Sequence, residues 1–141
     1  MKLSTLCVSA LASTMLLSTS VLANNHDDVH QWLEDYGFSH VTEVDWKSND
    51  RVEVEGFARD NMHSEVVFGP DGEVQSEEHE RYAREAWGLS LSQLQKAMEE
   101  GKDAGIRRFD EIDVSSRGEV EVEGYDDDGR EIEIKLSLDD L

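Results

Sequence analysis

The sequence holds a single cysteine, Cys7, and it sits in the first apolar run. No disulfide, thiolate nucleophile or cysteine-based metal site can be built downstream of it. Basic residues are scarce: 13 Lys+Arg stand against 33 Asp+Glu, for a net charge of −20. Phosphate backbones and anionic lipid surfaces demand a basic face, so nucleic acid and anionic membrane surfaces are excluded as partner classes. No segment approaches the ~18 consecutive apolar residues of a membrane span. Gly-x-Ser-x-Gly, His-Glu-x-x-His and phosphate-loop patterns are absent, and with them the usual signatures of acyl transfer, zinc hydrolysis and nucleotide binding.

What is present begins with a leader. Lys2 supplies a charged start, Leu3 to Leu17 a short apolar stretch, and Val21-Leu22-Ala23 a small-residue cleavage site. Residues 1–23 therefore read as a secretory signal peptide. Cys7 lies too early in it for lipidation. The expected product starts at Asn24 and is periplasmic or secreted, without membrane insertion. Lacking disulfides, it must be held by its core, and residues 24–141 suffice for one modest core.

Local patterns assign the elements. Val29, Trp32, Leu33 and Tyr36 recur with helical spacing, with Asp27 or Asp28 as cap and Gly37 as the C′ residue. Val41, Val44 and Trp46 form a strand whose alternation is broken. Val52-Glu53-Val54-Glu55-Gly56-Phe57 alternates apolar and acidic residues, the pattern of a half-buried antiparallel strand. Ser64, Val66 and Phe68 continue after the Arg59-Asp60-Asn61 turn. Pro70-Asp71-Gly72 is a turn, and Glu73-Val74-Gln75 a short edge strand. Ser76 to Trp87 reads as helix. Ser90 to Gln93 fits a capping box opening a second amphipathic helix through Leu91, Leu94, Ala97 and Met98. Strands return at Phe109 to Val114, Glu119 to Tyr125 and Ile132 to Leu138, the last two joined by Asp126-Asp127-Asp128-Gly129, a hairpin turn with the favoured Asp-Gly pair.

The two halves align without gaps from Asp35/Asp103 to Phe68/Leu136, at the offset that carries Val52 onto Val120. Gly37/Gly105, Glu43/Glu111, Asp45/Asp113, Gly56/Gly124, Asp60/Asp128 and Glu65/Glu133 are identical pairs. Chance alternation could match valines and glutamates, but not glycines and turn residues in the same register. The expected fold is α+β: two tandem α-β-β-β repeats, an antiparallel sheet, and helices packed on one face. The expected spans are 24–75 for the first repeat, 76–90 for a helical connector and 91–141 for the second.

Helix, Gly37-Phe38, strand, the alternating strand ending Gly56-Phe57, a further strand and Pro70-Asp71-Gly72-Glu73-Val74 together resemble the PepSY domain. That domain occurs in propeptides of secreted metallopeptidases and in small exported bacterial proteins. The second half matches through Gly105-Ile106, Glu119 to Tyr125 and Asp128-Gly129-Arg130-Glu131, and departs by ending before a closing Asp-x-x-Gly-Glu segment. The tandem pair is also similar in architecture to beta-lactamase-inhibitor proteins, in which helices back a sheet whose other face grips the partner. The resemblance implies a non-catalytic binding or inhibitory module, with a peptidase among the partners it suggests, and it supplies no catalytic residue or cofactor.

The valines and glutamates of the alternating strands point to opposite faces. Glu53, Glu55, Glu121 and Glu123, with Glu119, Glu131 and Glu133 on comparable positions, would form an open acidic wall if helices cover the valines. Two readings of that wall stand side by side: a docking surface for a basic protein or peptide, and a solvated, salt-adapted face that keeps the chain soluble in brine. Cation or metal binding is the alternative function. A chain beginning Asn24-Asn25-His26 could also wrap Cu(II) or Ni(II) in four nitrogens through His26. Asp126-Asp127-Asp128 invites a calcium reading, but Arg130 occupies the next alternate place, which favours a plain turn. His40, His63 and His79 lack ligand spacing. Trp32, Trp46 and Trp87 read as packing residues.

Overall fold

A computed structural model describes residues 26–141, with side chains from Asp28 onward. The leader, and the terminal nitrogens and His26 imidazole of the copper reading, lie outside the described residues and side chains. In chain order the elements are α1 (His26–Tyr36), β1 (Phe38–Trp46), β2 (Val52–Ala58), β3 (Met62–Phe68), β4 (Val74–Ala83), β5 (Leu89–Ser90), α2 (Leu91–Asp103), β6 (Arg108–Val114), β7 (Glu119–Tyr125) and β8 (Glu131–Ser137). All eight strands belong to one antiparallel sheet, ordered β4-β3-β2-β1-β6-β7-β8, with β5 paired to β1. The protein is thus α+β, and the two halves of the chain share a single sheet joined at β1 and β6.

The helices form because their apolar residues share a stripe and their ends are satisfied. In α2 the Ser90 hydroxyl accepts from Gln93 N at 3.2 Å, and the Gln93 side chain accepts from Ser90 N at 3.0 Å, the reciprocal capping box. The helix ends with Gly105 N donating to Lys102 O and Ile106 N to Gly101 O, as Gly105 takes φ 108°. Gly37 closes α1 in the same left-handed region at φ 102°, donating to Leu33 O at 3.0 Å. Asp27 and Asp28 stand inside the first turn of α1 rather than ahead of it.

Val29 and Leu33 of α1 and Leu94, Ala97 and Met98 of α2 join Val41, Val44, Val54, Val66, Ile112, Val120 and Val122 in one buried cluster. Each buried Val, Leu, Ile or Met side chain among them contributes about 1.5–3 kcal/mol. Both helices therefore cover the valine face. Trp32 lies on Phe68 and Trp46 on Phe109, so these two tryptophans are packing residues.

The broken alternation of β1 has a physical cause. Bulges shift its register with β2 between Phe38 and His40 and between Val41 and Glu43. The bulged backbone presses on β2 where only hydrogen fits: a Cβ at Gly56 would lie 2.2 Å from His40 O. In β6 a bulge between Phe109 and Glu111 does the same to β7, and a Cβ at Gly124 would lie 2.4 Å from Arg108 O.

One expectation is overturned. Ser76 to Trp87 is not helix, and residues 76–90 are no helical connector. The strand that begins at Val74 runs on to Ala83, exposed along its whole length. Glu, Arg and Ala favour helix in isolation, but the apolar residues Tyr82, Ala83, Ala86 and Trp87 all lie at the end of the segment and leave Ser76 to Arg81 with nothing to bury. The open edge of β3 offers it a ladder of backbone partners instead. Tyr36 reinforces the pairing by donating to Glu77 Oε2 at 2.6 Å. Burial and that bond push the Tyr36 hydroxyl up to about 12. Beyond β4, Trp87 lies edge-on against Phe57. By alternation Phe57 belongs to the glutamate face, yet it is fully buried, closed over by Trp87 and His63.

Candidate acidic interface

The face opposite the helices is built by strand pairing. On β2 and β7, the core-facing Val52, Val54, Val120 and Val122 force Glu53, Glu55, Glu121 and Glu123 outward. On β1 and β6, Val44 and Ile112 do the same for Glu43, Asp45, Glu111 and Asp113. Antiparallel register then sets these side chains directly opposite one another. One row reads Glu78, Glu65, Glu55, Glu43, Asp113, Glu121 and Lys135 from β4 to β8. The next reads Ser76, Val67, Glu53, Asp45, Glu111, Glu123 and Glu133. Like charges in direct opposition are unfavourable, by a few tenths to ~1 kcal/mol per pair.

Five of the seven glutamates expected on this face, Glu53, Glu55, Glu121, Glu123 and Glu133, fall in the rows. Glu119 and Glu131 lie on the same face at the strand ends, opposite Ser137 and Tyr125. Glu78 was not foreseen because its segment reads as helix, and neither were Glu43, Asp45, Glu65, Glu111 and Asp113. Their signal was the internal alignment, which matches Glu43 to Glu111 and Asp45 to Asp113.

The carboxyls register their crowding. Burial raises Glu43, with Glu55, Glu111, Asp113 and Asp45 adding to it. Burial and neighbouring carboxylates likewise raise Glu65, Glu111 and Asp113. Glu123 is pushed up to about 7, first by a hydrogen bond shared with Glu121, then by burial and by Glu111, Glu121 and Glu133. Glu121 goes the other way, lowered by its bond with Lys135 and then by the one with Glu123.

Two lysines offset part of the charge. Lys47 bonds Asp45 and lies 3.4 Å from Glu53. Lys135 lies 3.0 Å from Glu121 and 3.3 Å from Glu133. Carboxylate oxygens of Glu121, Glu123 and Glu133 come within 4.8 Å of one another, close enough to share a hard cation. The Asp126 loop is different. Its carboxylate is spent inside the turn, accepting from Asp128 N at 2.8 Å and Arg130 N at 2.9 Å, while Arg130 pairs with Asp126 and Asp128. That is a hairpin turn, and the calcium reading gives way to it.

The arrangement can attract, order and desolvate cationic groups. Compared with family models, characterised proteins and solved structures, the chain matches none, so its likeness to the PepSY family rests on the residues quoted above.

Proposed function

We propose that this chain is an exported, non-catalytic binding module that presents its carboxylate rows to a basic protein or peptide. In this reading it consists of two tandem PepSY-like α-β-β-β units. Support for the duplication comes from equivalent geometry at equivalent positions: Gly37 and Gly105 close the helices, while Gly56 and Gly124 sit under the bulge carbonyls of His40 and Arg108. A peptidase is the partner class that the PepSY likeness suggests, which makes inhibition or regulation of such an enzyme the working role.

The observation that carries the proposal is the cross-strand register. Directly opposed carboxylates span from β4 to β8, and Lys135 is the only basic side chain within those rows. A cationic partner relieves this repulsion on binding, so charge relief adds to the attraction. Titration calorimetry with a lysine-rich peptide tests it. Affinity should fall with added salt and drop about tenfold or more when Glu53, Glu55, Glu121 and Glu123 become Gln. Equal affinity for the quadruple variant would sink the proposal, and no binding by either protein would leave the salt-adapted surface as the explanation of the acidity.

A second reading has its own observation, the convergence of Glu121, Glu123 and Glu133. It makes the same corner a site for a hard divalent cation, with Lys135 as the resident counter-charge that the ion displaces. Calcium or magnesium titration separates the two readings, since only this one predicts saturable binding of the ion that Glu123→Gln weakens.

A further inference from the structure

The two outer edges of the sheet are not alike. Strand β4 is irregular, with register shifts against β3 at Met62/Ser64 and at Val67/Phe68, and its exposed flanks carry Glu77, Glu78 and Glu80. Bulges and charge are how proteins guard an edge against pairing. Strand β8 has neither defence in full. Its seven residues run beside β7 without a register shift, and it ends the strand order among the described residues. Its charged residues lie on one face only. On the other, Ile132, Ile134 and Leu136 are half-buried at the margin of the core.

The bonding direction of this edge is fixed. Asp126 N donates to Arg130 O at 2.9 Å at one end of the hairpin, and Leu138 N donates to Gly118 O at 2.8 Å at the other. In an antiparallel ladder the groups alternate, so even-numbered residues of β8 bond to β7. Glu131, Glu133, Lys135 and Ser137 then turn their N–H and C=O groups outward.

We infer that β8 is a self-association edge, where a second copy of this chain pairs antiparallel across a two-fold axis through Ile134 and extends the sheet. Side-chain charge selects this register. Centred on Ile134, Lys135 faces Glu133 of the partner subunit, and Glu133 faces the partner's Lys135. Ile132 meets the partner's Leu136, Ile134 meets its own counterpart, and Glu131 meets the partner's Ser137. Moving the axis to Glu133 or Lys135 sets like charges face to face, and moving it to Ile132 opposes Glu131 to Glu133. The chosen register also matches the outward groups, giving about eight main-chain hydrogen bonds. An isologous contact of this kind closes at two copies. It also sets the acidic faces of both copies side by side, although the inference does not depend on what those faces bind.

The net charge of −20 opposes the approach of two copies at low salt. Association should therefore strengthen as screening shortens the reach of that charge to ~10 Å at 0.1 M and ~3 Å at 1 M. Sedimentation equilibrium of the purified protein at both salt concentrations is the test. A monomer–dimer equilibrium favoured by salt is expected. Lys135→Glu and Glu133→Lys should each weaken it roughly tenfold or more, and the double swap should restore it by re-forming the pairs with charges reversed. Should a single swap fail to fold, hydrogen exchange on the unmodified protein decides: the amides of Glu131, Glu133, Lys135 and Ser137 should slow as protein concentration rises. A monomer under all conditions, a dimer indifferent to the swaps, or edge amides whose exchange ignores concentration would each overturn the inference.

Discussion

Glu123 offers the most direct handle on the physics of the acidic face. Its carboxyl is pushed up to about 7, so in the folded state it holds a proton that an unfolded chain releases near 4.5. A raised carboxyl stabilises the fold below its unfolded value, and that contribution is lost as pH rises through the folded value. Glu43, Glu65, Glu111 and Asp113 are raised too and act in the same direction. The lowered Glu121 works below the ordinary carboxylate range, leaving pH 5–7.5 to the raised groups. A shift from 4.5 to about 7 corresponds at most to about 3 kcal/mol, and solvent screening of a group that retains access to water reduces this to about 1 kcal/mol. Stability should therefore rise by about 1 kcal/mol or more as pH falls from 7.5 to 5, with a gain in Tm of about 3–6 °C. Glu123→Gln keeps a neutral donor toward Glu121, so it should be the more stable protein at pH 7.5 and show a shallower pH dependence. Urea unfolding followed by tryptophan fluorescence measures both. A wild-type stability that is flat or falls on acidification, or a Gln variant no more stable at pH 7.5, would refute the electrostatic reasoning.

Two further perturbations probe the scaffold. Gly124→Ala forces a Cβ to within 2.4 Å of Arg108 O and 2.5 Å of the Ile106 Cγ2 methyl, so it should cost about 2–3 kcal/mol in urea unfolding, with Gly56→Ala behaving alike against His40 O; a loss below about 1 kcal/mol would contradict the close approach. Ser90→Ala removes one arm of the α2 capping box and should cost about 1 kcal/mol by thermal melting, and an unchanged Tm would mean the cap contributes nothing.

Most of the fold was legible because its determinants are local. The apolar stripe of Val29 and Leu33, the Ser90–Gln93 box and the valine–glutamate alternation each encode their element without reference to the rest of the chain. Of strand β4 only the start at Val74 and Gln75 was legible, since the conformation from Ser76 onward is set by the edge of β3 and not by its own helix-favouring residues. Half of the acidic face was hidden for a related reason. Bulges in β1 and β6 disrupt the alternation that would have assigned Glu43, Asp45, Glu111 and Asp113 outward. Nothing local says that β1 pairs with β6, and it is this seam that sets Glu43 against Asp113 and Asp45 against Glu111. The same carboxylates, had the halves formed separate sheets, would have made two small patches instead of rows across one surface.

The central claim is that this surface is where a basic partner binds. Amide and side-chain NMR shifts of the labelled protein, followed during titration with a lysine-rich peptide, test it at residue resolution. The account predicts that perturbations concentrate on Glu43, Asp45, Glu53, Glu55, Glu111, Asp113, Glu121 and Glu123 and their strand neighbours, and fade with added salt. Perturbations confined to α1 and α2, or no perturbation at any salt concentration, would contradict it.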